Sequence, residues 1–307
     1  MKTLNLIDLD KSGIKYKISK FPDGQQNITI NSTVEVGDYE SVWFENIKKH
    51  SIQIKSRLNN FLDLELIICA VASLRELGVE EIHLYTPYIM GARSDRKFEE
   101  GGNNYLKDVI CPIINSLEFN SVTCIDPHSD CLEMGIKRFK KESNEQLIEF
   151  AIRGNIKPND PSKDIILISP DAGASKKIYK LAEQIGYKGD IITCSKERDI
   201  EGKLTKTVVP WKEGQLFDKD VIIVDDICDG GRTFINIAEV IKNKTKGWKY
   251  ETKIYLIVTH GIFSKGLEEL GEYFNGIYCT NSYQDYEPDN DGQDYIYPHL
   301  VKQLNVF

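Results

Sequence analysis

The sequence predicts an α/β protein of two domains, each a parallel sheet with helices on both faces, arranged as a pseudo-repeat. Three observations carry this. At 307 residues the chain is long enough for about two domains, each able to bury its own core. After about residue 55 it alternates short apolar runs with segments of helical spacing. The runs are apolar throughout, not at every second residue, which is the pattern of strands covered on both faces.

Up to about residue 55 the chain holds short β-rich segments, among them KYKISKF (15–21) and NITINSTVEV (27–36). DLELIICAVASLREL (63–77) has apolar residues at helical spacing and is followed by Gly78, a suitable C-cap. EIHLYTPY (81–88) reads as a strand that stops at a proline. YLKDVICPIINSL (105–117) reads as a helix kinked by Pro112, and SVTCIDPH (121–128) as a second buried strand. The second half repeats the grammar: strand DIILISPDAG (164–173), helix SKKIYKLAEQIG (175–186), strand DIITCS (190–195), strand VIIVDD (221–226), helix FINIAEVIKN (234–243), strand KIYLIVTHG (253–261). The Pro, Asn and Asp content of IEFAIRGNIKPNDPSKD (148–164) suggests a linker, which sets domains of 1–150 and 151–307. The last 20 or so residues are left open to pack back on the first domain.

Composition narrows the function. The chain is 41% hydrophobic and 28% charged, with a net charge of -8 and a pI near 5.3, and it has no basic stripe, which argues against a general nucleic-acid binder. A few local Lys and Arg suffice for small anions. Seven cysteines are scattered without a CxxC pair, and the N-terminus MKTLNLIDLDKSG lacks the apolar core of a secretory signal. No apolar run approaches the ~20 residues of a membrane span. A soluble cytoplasmic protein with free thiols is expected.

In parallel sheets the ligand sits beyond the carboxyl ends of the strands, so the residues just after each strand are the informative ones. VIIVDDICDGGRTF (221–234) places Asp225, Asp226 and Asp229 at the end of an apolar strand, then Gly230, Gly231, Arg232 and Thr233. The glycines let the backbone turn with N–H groups inward, and the helix starting near Thr233 adds its positive end, which makes a phosphate cradle. The acids suit vicinal hydroxyls or a divalent cation. Ribose 5-phosphate carries that division, a diol at one end and a phosphate at the other. An acidic strand end with an ordinary glycine turn is the plainer reading, and three acids followed at once by G-G-R-T weigh against it.

IVDDICDGGRT resembles the PRPP signature shared by type I phosphoribosyltransferases and ribose-phosphate diphosphokinases (PRPP synthetases). Other segments favour the synthetases. TPYIMGARSDRK (86–97) resembles their first-half motif, which the phosphoribosyltransferases lack. FPDGQQNITI (21–30) resembles F-S-D-G-E, IDPHSD (125–130) D-L-H-A, ISPDAGASKK (168–177) V-S-P-D-x-G-G-x-K-R, and CSKERD (194–199) the flexible K-E-R loop. The resemblance implies two Rossmann-like domains of the type I phosphoribosyltransferase kind. It implies that Phe21 stacks on the adenine of ATP at the neighbouring subunit, that Asp23 and Gln25 read the base edge, and that Arg93, Ser94 and Asp95 belong to the ATP site. His128 and Asp171 would serve Mg²⁺. Lys196 and Arg198 would be the catalytic cations, Asp225 and Asp226 would bind the ribose hydroxyls, and Asp229, Gly230, Gly231, Arg232 and Thr233 the 5′-phosphate. The implied reaction is attack of the C1 hydroxyl of ribose 5-phosphate on the β-phosphorus of ATP, giving PRPP and AMP, in a homo-oligomer that is a dimer at minimum and commonly a hexamer. Without the family, the Pro-Asp-Gly turn, the lone His128 and the Lys-Glu-Arg triplet would each read as structural or solvated. VTHGIFSKG (258–266) reads as structural, with His260 outside the catalytic set.

The chain departs from the family in four places. The usual phosphate loop is D-T-x-G-T; here it is D-G-G-R-T, so a threonine hydroxyl is lost at 230 and a cation replaces glycine at 232. That change either rebuilds the 5′-phosphate site or admits a larger anion, the diphosphate of ADP-ribose, which also ends in a ribose with a free C1 hydroxyl. Ser94 stands for a glutamine and Gln25 for a glutamate in the nucleotide motifs. The family's basic loop after the ATP motif, part of an allosteric phosphate or ADP site, is FEEGGNNY (98–105), and its acids predict weak or absent phosphate regulation. A PRPP-consuming phosphoribosyltransferase would leave GARSDRK and SKERD without purpose. A non-catalytic regulatory subunit is disfavoured by the presence of Lys196, Arg198, His128 and Asp171.

Overall fold

The structure is a computed structural model that describes residues 1–37, 42–198, 204–286 and 299–307; the side chains of Val42, Lys176, Lys196, Glu197, Arg198, Leu204, Thr205 and Lys206 lie outside the description. The chain divides into two compact units, Met1–Ser143 with Phe307, and Asn144–Val306.

The first unit runs β1 (Lys2–Asn5), β2 (Tyr16–Lys20), β3 (Gln26–Ile30), β4 (Thr33–Gly37), β5 (Val42–Asn46), β6 (Ile52–Lys55), α1 (Phe61–Glu76), β7 (Ile82–Tyr85), α2 (Cys111–Ser116), β8 (Ser121–Ile125), α3 (Cys131–Gly135) and β9 (Phe139–Glu142). Its main sheet has the order β1-β6-β7-β8-β9, all parallel. The parallel sheet thus begins at residue 2, earlier than the alternation of the sequence suggested; β2–β3 and β4–β5 are antiparallel hairpins inserted between its first two strands. Asn60 caps α1 by accepting from the N–H groups of Leu62 and Asp63 at 2.8 and 3.1 Å. At the other end, Val79 N–H reaches Leu74 O at 3.0 Å, the wide bond of a helix closed by a left-handed residue, here Gly78. Before α2 the helix is wound as a π turn over Leu106–Ile110, with Cys111 N–H bonded to Leu106 O. Pro112, one residue on, has no N–H and its ring crowds the carbonyl four residues back, so the looser winding is the form its kink takes.

The second unit runs α4 (Glu145–Glu149), α5 (Pro161–Asp164), β10 (Ile165–Ser169), α6 (Ala172–Gln184), β11 (Ile191–Thr193), β12 (Ser195–Arg198), β13 (Leu204–Val208), β14 (Asp220–Cys228), α7 (Arg232–Thr245), β15 (Ile254–Gly261), α8 (Glu268–Tyr273), β16 (Gly276–Thr280) and β17 (Val301–Leu304). Its sheet has the order β11-β10-β14-β15-β16-β17, again all parallel. The stretch read as a linker is largely helix: α4 continues through a π-wound segment to Ile156, because Leu147, Ile148, Ala151 and Ile152 bury one face. Alternate strand residues go to opposite faces. Ile165, Leu167, Ile222 and Val224 pack with α4 and α6 residues, whereas Ile166, Ile168, Val221 and Ile223 pack with Phe234, Ile237 and Ile241 of α7. Both faces are covered, which is why these strands read as unbroken apolar runs. The two parallel sheets flanked by helices are the duplicated Rossmann-like arrangement that the sequence predicts. The chain end divides: β17 closes the second sheet, while Phe307 belongs to the first unit, its ring edge-on to Tyr85 at 6.4 Å. No described helix is long and apolar enough to cross a membrane.

Candidate active site

From β10 the chain moves to β11 on one side and to β14 on the other, so the strand order reverses between β10 and β14. A crevice opens at such a switch point beyond the carboxyl ends. Asp171 follows β10 there, Asp225 and Asp226 lie near the end of β14, and Asp229 follows it.

The acids do not end the strand, as the sequence suggested. β14 continues through them to Cys228, with Asp225 opposite Val258 and Ile227 opposite His260. Asp226 is 4% exposed. A buried carboxylate is costly unless paired, and Lys177 of α6 supplies the pair, donating from Nζ to Asp226 Oδ2 at 2.5 Å. The partner is placed by the same alternation that covers the sheet, since Ile222 and Val224, four and two residues before Asp226, face α6. Asp225 has a different environment. Its Oδ1 accepts from Asp226 N–H at 2.9 Å. Burial, then the neighbouring charge of Asp226 and that of Asp171, hold its carboxyl well above the usual carboxylate range.

Past the strand the loop is braced from β15's far end. Cys228 O accepts from Ile262 and Phe263 N–H at 2.9 and 3.1 Å, and Asp229 O accepts from Ser264 N–H at 3.2 Å. Ser264 Oγ also donates to Asp229 Oδ1 at 2.5 Å. Gly231 turns the chain into α7 with φ +76°, and a Cβ there would stand 3.1 Å from Leu270. Only glycine takes that conformation without strain and fits that gap. The first turn of α7 follows, with its N–H groups and positive dipole end at the loop. Arg232 opens α7 and donates from Nη1 to Glu269 Oε1 at 3.0 Å, with 72% of its side chain exposed. The extra cation of the loop is therefore at the rim.

Asp171 is the N-cap of α6, its Oδ1 accepting from Ala174 N–H at 3.2 Å. Lys196 and Arg198 lie on β12, which pairs antiparallel with β13: the loop expected here is the arm of a hairpin, and both side chains fall outside those described.

The first unit carries the remaining predicted residues. Phe21, Asp23 and Gln25 form the exposed tip of the β2–β3 hairpin, where Gln25 N–H donates to Asp23 Oδ1 at 3.2 Å. Phe21 is 52% exposed. Arg93, Ser94 and Asp95 lie on the loop after β7. Gly91 turns it at φ +78°, and a Cβ there would lie 2.5 Å from the Tyr105 ring. Ser94 N–H closes the turn on Gly91 O at 2.8 Å, and Asp95 O is held by Asn104 Nδ2 at 2.6 Å. Arg93 is exposed, and His128 is exposed on the loop after β8. A Mg²⁺ ion characteristically takes one or two carboxylates and completes its shell with phosphate oxygens and water. Among the described residues no three His, Cys, Asp or Glu are gathered as a cage. The carboxylate of Asp171 at the crevice fits such a sparse set.

Residues 139–260 match the phosphoribosyl transferase domain model. The ribose-phosphate pyrophosphokinase of Mycoplasmopsis pulmonis is 29% identical over 234 residues, 75% of this chain and 67% of its own length. That of Pyrococcus furiosus is 26% identical over 278 residues, 87% of this chain and 85% of its own. In fold, the chain is similar to the phosphoribosylpyrophosphate synthetase of Mycobacterium smegmatis, with a TM-score of 0.72 at 16% identity over 97% of this chain and 88% of that one. Over most of its length the chain is similar to ribose-phosphate pyrophosphokinases, and it shares the fold of a phosphoribosylpyrophosphate synthetase.

Two residues of this site escaped the sequence reading. Lys177 is the second of a lysine doublet near the start of a helix, and a doublet there reads as solvated; only burial of Asp226 reveals it. Ser264 sits in VTHGIFSKG, which was read as structural, and it is Ser264 that fixes Asp229. His260, in the same segment, is 1% exposed and bonded through Nδ1 to Ser282 Oγ at 2.8 Å, an interior position.

Proposed function

We propose that this protein transfers the β,γ-diphosphoryl group of ATP to the C1 hydroxyl of ribose 5-phosphate, giving PRPP and AMP. The observation that carries the reading is the single run from half-buried Asp225 and buried Asp226 through left-handed Gly231 into the first turn of α7. Carboxylates suit the sugar hydroxyls, and the helix start that follows them suits the phosphate. Asp225 and Asp226 would accept from the ribose hydroxyls, and Asp229, Gly230, Gly231, Arg232 and Thr233 would surround the 5′-phosphate. Phe21, Asp23, Gln25, Arg93, Ser94 and Asp95 would hold ATP. Asp171 and His128 would hold Mg²⁺, which when bound neutralises phosphate charge. Lys196 and Arg198 would stabilise charge on the transferring group, chemistry that needs positioned cations and no covalent nucleophile. The exposed aromatic at the hairpin tip supports a homo-oligomer, a dimer at minimum, in which Phe21 serves a neighbouring copy.

The exposure of Arg232 at the rim supports a second reading with the same chemistry on ADP-ribose, whose second phosphate would extend past the 5′-phosphate toward that cation. Purified protein with ATP and Mg²⁺ is incubated with ribose 5-phosphate or with ADP-ribose, and products are followed by mass spectrometry. AMP with PRPP in the first tube is the expected result. AMP and diphosphorylated ADP-ribose only in the second would move the assignment to the second reading, and no AMP in either would overturn both.

A further inference from the structure

Lys177 has no place in the reaction set out above. It stands on α6 with its ammonium 2.5 Å from Asp226 Oδ2, its own side chain 35% exposed and that of Asp226 5%. Asp226 in turn gives its N–H to Asp225 Oδ1 at 2.9 Å. A chain of contacts therefore runs from helix to strand to the second carboxylate: Lys177, Asp226, Asp225. Among the described residues, Lys177 is the cation shown paired with Asp226. Asp171 at the start of α6 and Asp229 beyond β14 are acids, and His260 on β15 is turned to Ser282.

We propose that Lys177 is a positioning residue of the ribose subsite. Its ammonium fixes the carboxylate of Asp226, and through the Asp226 backbone the rotamer of Asp225, in the arrangement that receives the two hydroxyls of the sugar. This rests on the reading of Asp225 and Asp226 as the diol-binding pair. Lys177 acts through Asp226 and touches no reacting atom, so its loss weakens capture of the sugar far more than it slows the chemical step. The geometry demands a cation with donors at that spot. Arginine supplies one, and methionine, of similar length, does not.

The test compares wild type, K177M, K177R, D226N and the K177M/D226N double variant of the full chain. Steady-state kinetics with ribose 5-phosphate and thermal unfolding are both measured. For K177M the expected result is a KM for ribose 5-phosphate raised about 10-fold or more with kcat within about 3-fold, a split that marks lost binding rather than lost transition-state stabilisation. K177R should recover KM to within about 3-fold of wild type. In unfolding, the double variant should lose less than the sum of the two single losses, because D226N removes the buried charge that K177M leaves unpaired. A K177M protein that is less stable but has wild-type KM would overturn the proposal in favour of a purely structural pair. So would a K177R protein no better than K177M. If the wild type gives no turnover, ribose 5-phosphate binding is measured by calorimetry on the same variants. Binding lost in K177M and restored in K177R then supports Lys177 while the catalytic reading falls, and absence of binding in the wild type overturns both.

Discussion

Asp225 and Asp226 are chemically identical neighbours on one strand, yet the protein treats them differently, and the difference is measurable. Lys177 balances Asp226. Asp225, raised by burial first and by Asp226 and Asp171 next, has a carboxyl pushed up to about 8. The unfolded value is ~3.9. The folded state therefore binds the proton more tightly than the unfolded state, so ligand-free stability falls as pH rises between about 4 and 8. Asn cannot ionise and escapes that penalty. D225N should be more stable than wild type at pH 8.5, with the gap closing toward pH 4.5; urea unfolding at the two values checks it, and a gap that is the same at both would contradict the assignment. The same variant should bind ribose 5-phosphate more weakly, which is the usual opposition between stability and function at a site. Gly231 gives the second prediction at this scale. Alanine there meets a left-handed backbone and the Leu270 side chain at 3.1 Å, so G231A should lose about 1–3 kcal/mol in thermal unfolding.

At the scale of elements, what the sequence showed and what it hid follow from burial. β10, β14 and β15 were legible because both faces are covered and every residue is apolar. β6, IQIK, was not, because its burial alternates and its neighbours are hairpins. The reach of β14 past Val224 was hidden because acids rarely continue a buried strand; the compensating cation lies 49 residues away in the chain, on α6. The site residues were legible almost wholly through family motifs: nothing in Lys-Glu-Arg or in a Pro-Asp-Gly turn marks chemistry by itself. β12 shows the consequence. The segment expected as a loop pairs Ser195 to Arg198 with Leu204 to Val208, with a register shift between Glu197 and Arg198. If these two residues stabilise the transferring group, K196A and R198A should each lower kcat by about 10²–10³ while ribose 5-phosphate binding stays within about 3-fold. Single-turnover rates and calorimetry separate the two. Equal loss of binding and rate would assign the cations to substrate capture instead.

At the scale of the whole chain, two units with separate cores are joined by sequence, and the last residues belong to both: Val301–Leu304 complete the second sheet and Phe307 is counted with the first unit. There the Phe307 ring meets Tyr85 edge-on at 6.4 Å, and the Arg57 guanidinium lies 5.5 Å from its centroid. Aromatic pairs and cation–π contacts of this kind each contribute about 0.5–1.5 kcal/mol. F307A should therefore destabilise the first unit by about 1–2 kcal/mol and leave the core of the second intact. The tryptophans make the distinction observable, since Trp43 reports the first unit and Trp211 and Trp248 the second. In a W211F/W248F background the fluorescence transition should move to lower temperature on F307A; in a W43F background it should stay. Equal shifts in both would mean that the units unfold as one cooperative body, and the terminal ring would then be a joint of the whole molecule rather than a part of its first half.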